Sequence, residues 1–290
     1  FAPSSAGESV YSAFDFVIIH HFFSFVKGFS KKFSILLIFA EICDIIILDK
    51  LKGAIFMSIK RILTIQDISC VGQCSLTVAL PILSACGIET AILPSAVLSN
   101  HTGGFSGWTF ADLTEEMPKI RERWVTEKLD FSAVYTGYLG SAKQIDYVLD
   151  IVKSNLRAGG KLICDPAMAD NGKLYAGFDA NFVEAMKKLA FSADVILPNI
   201  TEACLLTGTD YRESYDRSYI DEIIGKLTAS GAKTIILTGV SFNPETTGVA
   251  VYDDGKFSYY EHKKISGGFH GTGDVYASAF PGAIENGKTA

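Results

Sequence analysis

The sequence lacks an excess of positive charge. Its 26 Lys and Arg stand against 32 Asp and Glu, a net charge of −6. That excludes a broad electrostatic footprint for nucleic acid. It also lacks an uninterrupted apolar run of roughly 20 residues, the length a membrane-spanning helix needs. The most apolar stretch, residues 33–48, is broken by Glu41 and Asp44. The six cysteines form no disulfide framework, and Cys70 with Cys74 finds no second Cys or His pair to complete a zinc site. Buried or partly buried thiols in a reducing cytoplasm are expected instead. After Met57 there is no internal repeat, low-complexity tract or linker. What is present is 48% hydrophobic and well mixed, enough to bury a proper core.

The composition is uneven. Residues 1–56 hold 10 of the 20 Phe but 3 of the 26 Gly, and five acids there cancel five bases. The whole −6 therefore belongs to residues 57–290. Three readings of the leader compete. As a membrane anchor it is interrupted by acids, and as a secretory signal it lacks a clean small-residue cleavage pattern. The third is translated upstream sequence. The chain opens on Phe, is rich in residues with AT-rich codons, and Lys52-Gly53-Ala54 can be encoded with AGGAG shortly before Met57. We take residues 1–56 as an extension outside the fold and residues 57–290 as one domain.

Within that domain short β-rich runs at 61–66, 90–94, 133–136, 161–165, 194–198 and 234–238 alternate with helical stretches near 75–86, 110–126, 142–158, 180–190, 202–207 and 220–230. This is the pattern of βαβ units. It predicts an α/β fold with a three-layer, doubly wound, mostly parallel sheet. Runs such as Val195-Ile196-Leu197 are apolar throughout, as burial on both faces requires. Residues 248–252 and 257–260 flank Asp254-Gly255 and predict a hairpin. Ligands in such sheets bind at the carboxyl ends of the strands.

The sharpest motif is Gly271-Thr272-Gly273-Asp274, followed by a helical stretch at 275–280. Glycines let successive N–H groups turn toward an anion, and a helix N-terminus adds partial positive charge. Asp274 is also an ordinary first-turn acid. Its company sharpens the motif: Asp165-Pro166, Asp170-Asn171-Gly172, Pro198-Asn199 with Glu202, and Thr238-Gly239 all follow strands. A Mg²⁺–nucleotide needs carboxylates and backbone donors and does not require a Walker A loop, and none is expected here. Taken singly, Glu202 reads equally well as a helix-start acid and Asp165 as a turn residue.

These residues, with Ile65-Gln66-Asp67-Ile68-Ser69, Ser99-Asn100-His101-Thr102-Gly103 and Thr136-Gly137-Tyr138, resemble the pyridoxal/pyridoxamine kinase family of the ribokinase-like superfamily. The resemblance runs from about Ser58 to the end. It implies ATP-dependent phosphorylation of the 5′-hydroxymethyl of a vitamin B6 vitamer. Asp274 would be the base, and Gly271, Thr272 and Gly273 the anion hole. Asp165 and Glu202 would organise Mg²⁺, with Asp170 and Asn199 near the phosphates and Thr238 and Gly239 along the nucleotide. Tyr138 would cover the pyridine, with Asp67, His101 and Thr102 beside it. It also implies a homodimer, K⁺ activation and no nucleic-acid or membrane partner.

Three departures stand out. Asp67 replaces the Ser of many relatives and could pair with a ring nitrogen or amine. Pro281 falls inside the helix opened by Asp274, where Pro typically costs about 3 kcal/mol or kinks the chain. The chain stops at Ala290, where the family continues, so the C-terminal helices are expected to be missing. Hydroxymethylpyrimidine kinase activity, a non-catalytic nucleotide-binding fragment and, if the leader is real, a membrane-anchored regulator stay open as alternatives. His262 is expected to be an ordinary strand residue, and His270 to serve the loop or touch phosphate.

Overall fold

The structure, a computed structural model, describes residues 60–265 and 270–289. The readings of residues 1–56, of the Met57 start, of Cys43 and of His20 and His21 lie outside the described residues.

Among these residues, nine strands form one sheet: β1 (Arg61–Ser69), β2 (Glu89–Leu98), β3 (Phe110–Asp112), β4 (Phe131–Thr136), β5 (Leu156–Cys164), β8 (Val195–Ile196), β9 (Thr234–Val240), β10 (Thr246–Asp253) and β11 (Lys256–Lys263). Their order is β11-β10-β9-β8-β5-β4-β1-β2-β3. The six central strands are parallel, with β3 antiparallel at one edge and the β10–β11 hairpin at the other. A separate small hairpin joins β6 (Ala169–Asp170) to β7 (Lys173–Leu174). The helices are α1 (Leu76–Ala85), α2 (Met117–Thr126), α3 (Ala142–Asn155), α4 (Ala180–Ser192), α5 (Ile200–Thr207), α6 (Arg217–Ala229) and α7 (Thr272–Glu285).

Strand alternation assigns the faces. Leu63, Ile65, Val134, Leu162 and Ile235 bury into one core with α3, α4, α5 and α6. Ile62, Ala133, Tyr135, Ile163 and Ile236 bury into the other with α1 and α7. Both faces being covered explains why the central strands read as continuous apolar runs. Ser141, Asp179 and Asp216 cap α3, α4 and α6 through side-chain oxygens. Each such cap stabilises its helix by about 1 kcal/mol.

Several boundaries differ from expectation. The segment 110–126 is not one helix: Phe110–Asp112 pairs with β2, and α2 starts at Met117. The reason is Asp112, whose carboxylate accepts both the N–H and the hydroxyl of Thr114 and so turns the chain. Helix α3 ends at Asn155, not at 158, because the Asn155 amide reaches across to the Leu129 carbonyl and Leu156 turns extended. Helix α7 runs unbroken through Pro281. Pro281 and Gly282 are buried where α7 meets α1, and a Cβ on Gly282 would lie 2.7 Å from Cys86 Sγ. Close packing there offsets the missing N–H. Cys70 is exposed rather than buried, since the chain leaves β1 into an open bend, whereas Cys74, Cys164 and Cys204 are buried. His262 sits exposed on β11.

Among the described residues no helix is long and apolar enough to cross a membrane. The strand order reverses direction between β1 and β4, so the crevice at their carboxyl ends is where this fold places a ligand.

Candidate active site

A cavity of about 940 Å³ opens at that crevice. The ends of β1 and β4 contribute Asp67 and Tyr138, the β2–β3 loop contributes His101 and Thr102, and the start of α7 contributes Gly271, Gly273 and Asp274. Asp165, Asp170, Asn199, Glu202 and Thr238 line the same cavity. Thr272 and Gly239, expected there, are not among the lining residues. Thr272 belongs to the first turn of α7, and Gly239 takes φ 72 inside β9.

Asp274 sits in the first turn of α7, behind Gly271 at φ 78. Burial raises its carboxyl above the ordinary range, while the backbone N–H of Ser75 pulls the other way. Gly271 is pressed against the loop before α1, and a Cβ there would stand 2.4 Å from the Gln73 carbonyl oxygen. Two helix starts thus converge on one carboxylate.

Asp165 is half-buried on the cavity wall. Burial first, then the charges of Glu202 and Asp274, push its carboxyl well above the usual range. Its Oδ1 accepts the Ala167 N–H at 3.1 Å. Burial likewise pushes Glu202 up to about 7. Glu202 is tied by a capping box: its Oε2 accepts the Asn199 N–H at 2.9 Å, and Asn199 Oδ1 accepts the Glu202 N–H at 2.9 Å. Its Oε1 accepts the Met168 N–H at 3.0 Å. Both readings of Glu202, helix-start acid and site acid, therefore describe the same side chain.

Among the lining residues, the carboxylates of Asp67, Asp165, Asp170, Glu202 and Asp274 face a single ammonium, Lys173. No group of three or more His, Cys, Asp or Glu among the described residues could hold a metal ion unaided. The donors are hard oxygens carrying under-compensated charge. That suits a divalent cation shared between one or two carboxylates and a phosphate rather than a protein-only cage.

At the other end, Tyr138 stacks on Phe178 at 5.5 Å, and Phe178 on Phe182 at 3.8 Å. His101 and His270 bring their rings to 4.7 Å. The His101 Nδ1 faces the Gly103 N–H at 3.1 Å.

Several lining residues escaped the sequence reading. Lys173 arrives through the β6–β7 hairpin, whose turn residues Asn171 and Gly172 take φ 50 and 75. The Asn-Gly pair signals that turn. Phe178 and Ser75 carried no comparable signal. Cys74 borders the cavity, and burial pushes its thiol up to about 11, so it stands as a protonated thiol at neutral pH. One further string, Gly282-Ala283-Ile284-Glu285-Asn286-Gly287-Lys288-Thr289, spells a Walker A pattern. A phosphate loop joins a strand to a helix start, whereas this string closes α7. The N–H groups of Asn286, Gly287 and Lys288 bond back to the carbonyls of α7, leaving no cradle.

The family model Phosphomethylpyrimidine kinase matches residues 82–290. A pyridoxal kinase of Dictyostelium discoideum is 30% identical over 241 residues, covering 77% of each chain. A Bacteroides thetaiotaomicron protein with the provisional name phosphomethylpyrimidine kinase, solved with pyridoxal, is 37% identical with a TM-score of 0.76, over 80% of this chain and 82% of that one. Pyridoxal kinase from Lactobacillus plantarum is 34% identical with a TM-score of 0.73, over 80% and 82% respectively.

Proposed function

The chain belongs to the pyridoxal kinase family, and from that premise we propose that it transfers the γ-phosphoryl group of ATP to the 5′-hydroxymethyl of a vitamin B6 vitamer. The observation that carries the reading is Asp274. It is a half-buried carboxylate in the first turn of α7, behind a left-handed glycine, facing a cavity with an aromatic platform and acidic residues on its walls.

In this reading the vitamer ring lies against Tyr138, with Asp67, His101 and Thr102 around it. The substrate hydroxyl oxygen attacks the γ-phosphorus, the bond to the β-phosphate oxygen breaks, and ADP leaves. Asp274 accepts the hydroxyl proton as the new P–O bond forms. Its raised affinity for a proton suits that task, since a base is most effective when its pKa approaches the working pH. The N–H groups around Gly271, Thr272 and Gly273 steady charge on the transferring group. Asp170, Asn199 and Thr238 border the nucleotide, with Gly239 one residue further along β9, outside the cavity lining. Asp165 and Glu202 would hold Mg²⁺, which supplies charge neutralisation for the phosphates. Each Glu202 oxygen accepts one backbone N–H, which leaves a lone pair on each for the cation or for a water that bridges to it. Most of the rate then comes from positioning and charge compensation.

The name of the matching family model favours one second reading, phosphorylation of hydroxymethylpyrimidine. Assaying ATP turnover by the full chain with pyridoxal, pyridoxamine, pyridoxine and hydroxymethylpyrimidine separates the two, with Asp274→Ala as control. Full activity in that variant would overturn the base assignment. K⁺ activation and a homodimer belong to the same reading. Exchange of K⁺ for Na⁺ in the assay tests the first, and sedimentation tests the second.

A further inference from the structure

Asp67 has a chemistry that the transfer reaction does not use. The β1–β2 ladder slips register between Gln66 and Ile68, and a slip of this kind re-aims side chains at the end of a strand. Asp67 is buried, 5% exposed, yet lines the cavity. Its Oδ2 accepts the Ser69 hydroxyl at 3.1 Å. The other groups acting on its charge are the Ser75 hydroxyl, its own N–H and His101; none is Lys or Arg. Burial accordingly dominates and raises its carboxyl. Neutral hydroxyls orient this carboxylate without cancelling it, and a buried charge without an ionic partner is costly.

Its position within the cavity is also defined. The charge of Asp67 is felt by Tyr138, by Cys74 and by Asp274. It therefore lies near both the aromatic platform and the base. Asp165, Glu202 and Asp170 form a second acidic group: the charge of Glu202 acts on Asp165, and that of Asp170 on Glu202. A cation accepted by Asp67 would belong to the flat substrate and not to the metal–phosphate side.

We infer that Asp67 is a specificity-determining residue that binds the protonated aminomethyl group of the vitamer, so that the enzyme selects a primary ammonium substrate over its aldehyde and alcohol counterparts. The inference rests on the vitamer-kinase reading above. An ammonium supplies the missing counter-charge and donates hydrogen bonds that an aldehyde cannot. Charge-assisted bonds of this kind are the strong ones.

The test compares kcat/KM for pyridoxamine, pyridoxal and pyridoxine in the full chain and in Asp67→Asn and Asp67→Ser, with folding checked by circular dichroism. Wild type is expected to favour pyridoxamine. Both variants are expected to lose roughly 10- to 100-fold on pyridoxamine, the scale of one hydrogen bond to a charged group, and to lose distinctly less on pyridoxal, so that the pyridoxamine-to-pyridoxal ratio of kcat/KM falls. Equal losses on all three vitamers, or an unchanged ratio, overturn the inference while leaving the kinase reading intact. Turnover of no vitamer by wild type overturns both.

Discussion

The backbone N–H of Ser75, at the head of α1, acts on the carboxylate of Asp274, in the first turn of α7, and draws its proton affinity down. Ser75 makes this contact at φ 50 and ψ −129, a conformation that L-residues rarely adopt. Strain of this sort costs about 1–3 kcal/mol and persists only where the surroundings impose it. Here they do, because Gln73 and Gly271 lie in close backbone contact beside the pair. The loop after β1 and the turn before α7 behave as one unit.

Gly271→Ala is expected to break that unit. The added methyl would meet the Gln73 oxygen at 2.4 Å, and φ 78 is costly for any residue with a Cβ. Overpacking plus backbone strain should cost about 2–4 kcal/mol. Thermal unfolding would show a lower midpoint, and kcat would fall further than KM rises, since Asp274 would be displaced. An unchanged midpoint would mean that the two loops are not locked together.

Asp274→Asn keeps the size of the side chain and removes the proton acceptor. The proposed base role predicts a fall in kcat of about 10²- to 10⁴-fold with little change in the unfolding midpoint. The pH profile gives the sign independently. Burial raises the Asp274 carboxyl above 3.8. The ionised form is the active one, so kcat/KM should drop as pH falls through that raised value. An acid limb at the ordinary carboxylate position would contradict the burial argument. Measuring initial rates across the acid range with saturating ATP checks it.

Glu202→Gln separates stability from chemistry. The carboxylate accepts two backbone N–H groups, from Met168 and Asn199. An amide accepts through its oxygen alone and turns its NH₂ on the other donor. One buried N–H is left unsatisfied, for a cost of about 1–3 kcal/mol. Urea unfolding without added nucleotide should show that loss. If Glu202 also serves the divalent cation, the Mg²⁺ concentration for half-maximal rate should rise in the same variant. A lower midpoint with an unchanged Mg²⁺ requirement would confine Glu202 to its cap.

How far the sequence foreshadowed this architecture depended on range. The parallel strands were legible because burial on both faces leaves continuous apolar runs, and the 254–255 turn because Asp-Gly tolerates positive φ. Asp274, Asp165 and Glu202 were legible because each follows a turn or strand end with a local signature. The short strand β3 was not, because its hydrogen bonds come from β2, and the deciding contact between Asp112 and Thr114 looks like any polar pair. Ser75 was invisible for the same reason: its φ is imposed by residues about 200 positions away. The Walker-like string at the end of α7 is the converse case, a local pattern whose structural context denies it a role.

Gln144 supplies the last test, because its role is entirely non-local. It is fully buried at the start of α3, and its Oε1 accepts the Gly140 N–H at 2.7 Å. Its Nε2 donates to the Ser95 carbonyl and the Thr114 hydroxyl, each at 2.9 Å, and to Asp112 at 3.2 Å. Ser95 in turn donates its hydroxyl to the Tyr138 carbonyl at 3.0 Å. One amide therefore joins β2, the segment after β3 and the loop carrying the aromatic platform. Gln144→Leu preserves bulk but strands the Gly140 N–H, while the Ser95 carbonyl loses one of two donors and keeps the Leu113 N–H. One such loss should lower stability by about 1–3 kcal/mol. The proposed placement of the vitamer against Tyr138 adds a kinetic signature. KM for the vitamer should rise several-fold while KM for ATP stays within about twofold. If both rise together, the amide supports the whole cavity rather than the platform, and Tyr138 is held by the Phe178 stack alone.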